Sequence, residues 1–377
     1  MERAGFVKVL FTGGGTGGHL YPAIALADAL RGRAEIRFIG TADRLESRIV
    51  PQAGYELRTI AAKPLMRKPS LQTAQTAAAN ALGVAQAIRE VAAFRPDIIV
   101  ATGGYVCFPV MAAAKLLRAL RILPTRLALL EPNAQPGLTN RLLAPLVDEV
   151  WGAFAQTPAA FSGKYAHTGI PVRGSLFRPN NRIEAARRLG LDPDLRTILV
   201  IGGSQGARSI NEAVAALITR RALPDRWQVL HVCGDRDYEY MKAEERAPYA
   251  GNSVVLVPYL NEMADAYALS EVMVGRAGAS TLGELAALGM PSVLIPYPFA
   301  ADDHQMANAR AFEAAGAARI ITDADLNADS LWWTLRDVLE PDRLAAMRDA
   351  ARSLGANDPV TAILTRIDAL VSRKSAA

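Results

Sequence analysis

The chain has 377 residues, of which 51% are hydrophobic and 21% charged, a globular composition with room for about two domains of ~150 residues, and it excludes a mainly disordered chain. Its formal charge of +5 is uneven: residues 1–170 hold 19 Lys/Arg against 11 Asp/Glu, net +8, and the rest is net −3. No apolar run reaches the ~18 residues of a membrane span, and the two cysteines, Cys107 and Cys233, are too few for a disulfide framework or a four-ligand zinc site.

The start, Met1-Glu2-Arg3-Ala4, passes directly into an apolar strand pattern without a secretory leader, so a reducing cytosolic compartment is expected. The basic first half suggests an anionic partner there: nucleic acid, a phosphorylated ligand or an anionic membrane surface. An unevenly charged solvated surface fits the same numbers.

In chain order, residues 6–11 read as a buried strand, and 12–19, Thr-Gly-Gly-Gly-Thr-Gly-Gly-His, as a glycine-rich turn. A helix follows, with Pro22 expected in its first turn, Ile24, Leu26, Ala27 and Leu30 on its apolar face, and Gly32 as its stop. Strands are expected at 35–39, 97–101 and 126–130, and the Ala-rich stretch 70–93 reads as a helix. The pattern restarts at 197–201 and its glycine turn, Gly202-Gly203-Ser204-Gln205-Gly206. Further strands are expected at 227–231, 254–257, 271–274 and 292–295. Strands alternating with helices predict an α/β fold of two doubly wound, Rossmann-like parallel-sheet domains facing a central cleft. The domains are expected at 1–172 and 173–355, with a C-terminal helix at about 356–377 joining the first.

Gly13-x-Gly15-x-x-Gly18 matches the dinucleotide fingerprint, whose amides approach an anion at a helix start. A dinucleotide site also wants an acid at the end of the second strand, and Phe38-Ile39-Gly40-Thr41 has none. A tight turn serving chain reversal alone fits the same glycines. The third turn, Gly275-Arg276-Ala277-Gly278-Ala279-Ser280-Thr281, leads to Leu282-Gly283-Glu284. Its amides could hold a diphosphate, and Glu284 could accept two hydrogen bonds from ribose hydroxyls. A solvated helix glutamate is the bland alternative.

The ordered set of segments resembles the MurG family of glycosyltransferases, which add N-acetylglucosamine to lipid I in bacterial peptidoglycan synthesis. The stretches that carry the resemblance are 14–19, 40–44, 103–106, 137–140, 169–173, 202–207, 276–284, 303–305 and 308–309, spread over roughly residues 6 to 320. The resemblance implies a B-type glycosyltransferase fold and an inverting transfer from UDP-N-acetylglucosamine to the C4 hydroxyl of the muramyl sugar of undecaprenyl-linked lipid I, giving lipid II. It implies a donor site in the second domain. There Leu260 would read uracil by its backbone, Ser204 and Ala279, Ser280 and Thr281, continuing into Leu282 and Gly283, would hold the diphosphate, Glu284 the ribose and Gln305 the sugar. Arg173 would lie near the phosphates. Thr16, Gly17, Gly18, Asn133 and Asn140 would face substrate from the first domain. No cofactor or metal is implied: no Asp-x-Asp motif beside a strand suggests a metal-held diphosphate, and Asp302-Asp303 reads as a solvated loop.

His19 is the first candidate for the base that takes the acceptor proton, because imidazole titrates near neutral pH, and Glu131 is the second. A hydrogen-bonded structural histidine is the alternative for His19. The chain departs from the family pattern at Leu130 and Pro132, where relatives have His-Glu-Gln-Asn, at Ala277 in place of serine, and at Cys107 and Phe108. Cys107 reads as a buried thiol without chemistry. Lys63, Arg67 and Lys68, and Lys115, Arg118, Arg121 and Arg126 among leucines, suit a peripheral site on the cytoplasmic face of the membrane. An ordinary amphipathic helix fits either stretch. Competing functions are a B-type glycosyltransferase with another lipid or small-molecule acceptor, a nicotinamide-dependent oxidoreductase, and a nucleotide-sugar-binding regulator. Nucleic acid is not expected as a partner, since no recognition motif accompanies the charge.

Overall fold

The computed structural model describes residues 6–64, 71–161, 163–203, 206–220, 223–244, 253–260, 262–355 and 358–375. They divide into two compact units, Met1–Arg173 with Asn357–Ala377, and Gly174–Ala356.

Unit 1 alternates β1 (Val7–Thr12), α1 (Gly17–Leu30), β2 (Ala34–Gly40), α2 (Glu46–Gln52), β3 (Glu56–Thr59), α3 (Leu71–Phe94), β4 (Ile98–Ala101), α4 (Cys107–Ala119), β5 (Arg126–Glu131), α5 (Leu138–Leu143), β6 (Glu149–Gly152) and β7 (Tyr165–His167). The sheet order is β3-β2-β1-β4-β5-β6-β7, and every pairing is parallel. Side chains alternate faces along a strand, so one strand set feeds two cores. Val9, Phe11, Ile98, Val100, Ala128 and Leu130 pack with α1 on one face. Leu10, Ile99, Ala101, Leu127 and Leu129 pack with α3 and α4 on the other. The chain's last helix closes the first core with Ile363, Ile367 and Leu370, an i, i+4, i+7 stripe, and Arg366 anchors it on Glu149 at 3.0 Å.

Unit 2 runs through α6 (Arg182–Leu189), β8 (Arg196–Ile201), α7 (Arg208–Arg220), β9 (Trp227–Val232), α8 (Tyr238–Glu244), β10 (Ser253–Val257), α9 (Met263–Leu269), β11 (Ser270–Gly275), α10 (Ala279–Leu288), β12 (Ser292–Leu294), α11 (His304–Ala314), β13 (Ala318–Ile320), α12 (Ala328–Val338) and α13 (Pro341–Leu354). The last helix, α14 (Pro359–Ser375), is the one that returns to unit 1. The order β10-β9-β8-β11-β12-β13 is again all parallel. Ile198, Val200, Val229, Val272, Val274 and Val293 meet α7, α12 and α13 on one face.

The expectation for Pro22 needs correction. The first helix begins at Gly17, so Pro22 lies inside it. Having no N–H, Pro22 returns no bond to the Gly18 carbonyl.

Candidate functional site

In a parallel sheet whose strand order reverses, ligands settle in the crevice at the carboxyl ends of the strands flanking the reversal. That point lies between β1 and β4 in unit 1 and between β8 and β11 in unit 2. The three glycine-rich turns follow β1, β8 and β11, so each stands at a switch point of its own sheet.

In unit 1 the turns after β1 and β4 interlock: the Gly14 N–H donates to the Gly103 carbonyl at 3.3 Å. A Cβ on Gly103, whose φ is +110°, would fall 2.4 Å from His19 Nδ1. Glycine there is what lets the imidazole lie against the turn. Nδ1 is 2.9 Å from the Thr102 carbonyl. A carbonyl only accepts, so the neutral ring carries its proton on Nδ1 and its lone pair on Nε2. This is the tautomer a proton acceptor needs. Thr16 is exposed at the helix start, where its carbonyl accepts from His19 and Leu20 N–H, and Gly17 and Gly18 form the first turn of α1.

An acid does reach the end of β2, from a place the strand pattern did not show. Glu46, 1% exposed, opens α2. Its carboxylate accepts from Gly15 N–H at 3.0 Å, Thr41 N–H at 3.1 Å and Thr41 Oγ1 at 2.7 Å. It thereby takes a turn amide that the pyrophosphate of a dinucleotide would use. It also welds the turn carrying Thr16 and His19 to β2.

Glu131, 0% exposed, ends β5. Oε1 accepts from Asn133 N–H at 2.9 Å and Asn133 Nδ2 at 3.2 Å, and Oε2 from Gly137 N–H at 3.2 Å and Asn140 Nδ2 at 2.8 Å. Burial pushes its carboxyl up to about 7, against the pull of the donors on residues 133, 137 and 140. The 132–140 turn is thus folded around one carboxylate. Asn133 is half-buried on that turn, whereas Asn140 is buried, with its Oδ1 lacking a hydrogen-bond partner among the described residues. Arg173 stacks on Tyr21, 4.8 Å from its ring centroid. Cys107 is buried, its Sγ 3.3 Å from the Thr12 carbonyl and 3.1 Å from that of Gly103. Burial pushes this thiol up to about 12, which leaves it a tie between turns rather than a nucleophile.

In unit 2 the third turn ends at Gly278, the N-cap of α10. The Leu282 N–H is spent on the Gly278 carbonyl at 3.0 Å, and the side chain of Leu282 and the Gly283 position are buried. The amides of Ala279, Ser280 and Thr281 precede the first intrahelical bond, and they are the ones a helix start offers to an anion. Glu284 is half-buried in the second turn and accepts from the Tyr267 hydroxyl at 2.8 Å. Gln305 accepts from Tyr297 N–H at 2.9 Å through Oε1, so its NH2 end is the one able to donate to a hydroxyl. Leu260 is partly buried just beyond β10. Ser204 lies outside the described residues, as do Arg67 and Lys68.

Arg276, only a member of a motif in the sequence, organises this edge. Its guanidinium donates to Asp323 at 2.5 Å, to Ser209 Oγ at 3.0 Å and to the carbonyls of Ile295 and Pro296 at 3.1 and 3.3 Å. One planar fork thus ties the turns after β11 and β12 to α7 and to the segment after β13. The signal that could have found Arg276 is a basic residue at the end of a buried strand. Glu46 offers only an acid at a helix start. Among the described residues, no group of three or more His, Cys, Asp or Glu is placed to hold a metal ion.

Residues 9–151 match the glycosyltransferase family 28 N-terminal domain, and 197–363 match the family's C-terminal domain. A protein of Desulfitobacterium hafniense (strain Y51), named UDP-N-acetylglucosamine--N-acetylmuramyl-(pentapeptide) pyrophosphoryl-undecaprenol N-acetylglucosamine transferase, is 41% identical over 95% of this chain and 98% of its own length. One of the same name from Desulforamulus reducens is 37% identical over 98% of this chain and 100% of its own. The crystal structure of Acinetobacter baumannii MurG superposes with a TM-score of 0.75 at 26% identity, covering 96% of this chain and 99% of that one. With both domain types in order, and relatives of this identity along nearly its whole length, the chain belongs to glycosyltransferase family 28.

Proposed function

We propose that the chain transfers N-acetylglucosamine from UDP-N-acetylglucosamine to the C4 hydroxyl of the muramyl sugar of undecaprenyl-linked lipid I, with unit 1 serving the acceptor and unit 2 the donor. The substrates come from the name carried by relatives matched along nearly the whole chain. The chemistry rests on one observation above the others, the His19 ring held with its proton on Nδ1 by the Thr102 carbonyl.

In this reading the acceptor oxygen attacks the anomeric carbon, its proton passes to His19 Nε2, and the bond from that carbon to the diphosphate oxygen breaks. One displacement inverts the α-linked donor to a β-linked product. The departing UDP carries the negative charge, and the amides of Ala279, Ser280 and Thr281 at the positive end of α10, with Arg173, stabilise it. Glu284 holds the ribose, Leu260 the uracil, Gln305 the sugar, and Ser204 a phosphate oxygen. Thr16, Gly17, Gly18 and Asn133 face the reacting sugars. Four intramolecular donors on Glu131 favour its holding the 132–140 turn, with Asn140, over its serving as the base.

A lipid-linked acceptor places the enzyme at the cytoplasmic membrane face, as a peripheral protein. No helix among the described residues is long and apolar enough to cross a membrane. Leu116, Leu120 and Ile122 are exposed at the end of α4, beside exposed Arg121 and half-buried Lys115, and this patch suits an anionic lipid surface. Arg118 is engaged by Asp148 at 2.7 Å, so it contributes less to that surface than its sequence position suggests.

The test is transfer of labelled N-acetylglucosamine from UDP to a lipid I analogue, with a diacylglycerol acceptor and chelator controls. Chelator-insensitive transfer to the lipid I analogue alone is expected. Donor binding without that product would move the acceptor to another lipid or a small molecule.

A further inference from the structure

The hydroxyl that meets Glu284 comes from a residue with almost no freedom. Tyr267 is 4% exposed and stands on α9, which is fastened at two places. Asp265 accepts from Asn180 N–H at 2.8 Å and from its Nδ2 at 2.7 Å, tying the helix to the turn ahead of α6. Ser270 Oγ donates back to the Ala266 carbonyl at 2.6 Å, fixing the helix end where β11 begins.

Glu284, by contrast, has three side-chain torsions, and the last of them is broad and two-fold. To take hydrogen bonds from two vicinal hydroxyls it must present its carboxylate in one plane. A donor on Oε2 from a locked phenol supplies that orientation without exhausting the carboxylate, which has about four acceptor positions. Groups whose orientation is set by a supporting hydrogen bond bind and discriminate better than free ones, because less is lost on ordering them.

We propose that Tyr267 is a positioning residue that orients Glu284 toward the 2′- and 3′-hydroxyls of a ribose, and thereby makes unit 2 selective for ribonucleotide over 2′-deoxyribonucleotide sugar donors. The inference rests on the assignment of Glu284 to the donor ribose. A site built to pair with a hydroxyl discriminates strongly against the analogue lacking it, because its own polar group is then left unpaired.

Tyr267→Phe removes the hydroxyl and keeps the ring that packs in the core. The experiment measures kcat and KM for UDP-N-acetylglucosamine and for its 2′-deoxyuridine analogue in the parent, Tyr267→Phe, Glu284→Ala and the double variant. Tyr267→Phe is expected to raise KM for the ribonucleotide about tenfold, the size of one charge-assisted hydrogen bond, with kcat moving less than KM. The ratio of kcat/KM between the two donors falls with it, and adding Tyr267→Phe to Glu284→Ala lowers that ratio no further. A merely structural tyrosine would slow both donors alike. If Glu284→Ala leaves the parent ratio intact, the ribose assignment is wrong and the proposal falls with it. If Glu284→Ala collapses the ratio while Tyr267→Phe preserves it, the assignment stands and the role of Tyr267 is overturned.

Discussion

Replacing Glu131 by glutamine tests how the 132–140 turn is held. The amide keeps the carboxylate's shape, but one of its ends becomes a donor facing donors. If the oxygen stays on Asn133, the new NH2 meets Gly137 N–H and Asn140. The Asn140 amide can turn to offer its Oδ1, which has no partner among the described residues, but it then gives up its 3.2 Å bond to the Leu130 carbonyl. One orphaned amide and one lost neutral bond cost about 2–4 kcal/mol, and the parent's neutral acid, with one O–H among the same donors, carries a like cost. Against this stands the charge. A carboxyl raised from 4.5 to about 7 by burial binds a proton in the folded state that the unfolded chain has released. Stability therefore falls as pH rises through that window, by about 3 kcal/mol at about 1.4 kcal/mol per pH unit. Glutamine has no such term. The variant should therefore differ little from the parent at pH 5, where both are neutral, and be about 2–3 kcal/mol more stable than it at pH 8. Hydrogen exchange of peptides spanning 126–140, corrected for the intrinsic rate at each pH, reads this locally. A stability difference that stays constant from pH 5 to 8 would refute the reasoning, because it would mean that Glu131 does not titrate there.

His19→Asn keeps a donor for the Thr102 carbonyl and loses Nε2. Turnover should fall by ~10²–10⁴-fold with UDP binding nearly unchanged, and unaltered turnover in the transfer assay would remove His19 as the base. Glu46→Ala strands the donors of Gly15 and Thr41 and should cost unit 1 about 3 kcal/mol, seen as a lower thermal midpoint; a midpoint equal to the parent's would count against its anchoring role. Arg276→Lys breaks the fork that joins Asp323, Ser209 and two carbonyls. KM for UDP-N-acetylglucosamine should rise about tenfold, since lysine cannot reproduce a planar fork. Leu120→Glu with Ile122→Glu should release the enzyme from anionic vesicles in a sedimentation assay, and a parent with no preference for anionic over neutral vesicles would dismiss the membrane patch.

The central strands were legible because they are continuous apolar runs buried on both faces, as at 198–200 and 98–101. β3 was not: Glu56-Leu57-Arg58-Thr59 is a sheet edge and reads as polar surface. β6, β7 and β13 are short and lie at or next to their sheets' far edges, where periodicity over three or four residues carries little signal. In the site, His19 and Glu284 were legible as polar residues at or just past a helix start behind a glycine turn. Glu46 was not, because its carboxylate folds back from the next helix onto two separate turns. Nor was the reach of Arg276 to Asp323, 47 residues away. Tyr267 was hidden differently, since on an apolar helix a tyrosine reads as core, and only its hydroxyl's partner gives it a further role.

The return of α14 bears on synthesis. One core of unit 1 is lidded by Ile363, Ile367 and Leu370, which leave the ribosome well after the rest of that core. All of unit 2 lies within Gly174–Ala356 and is translated before that lid. Domains generally fold as units while the chain emerges, so the later half can reach its native state while the earlier half still waits with an apolar face open. During that interval the nascent chain keeps an apolar face exposed, a state open to aggregation. Premature termination between residues 356 and 363 would leave a finished second unit joined to a first unit that never closes.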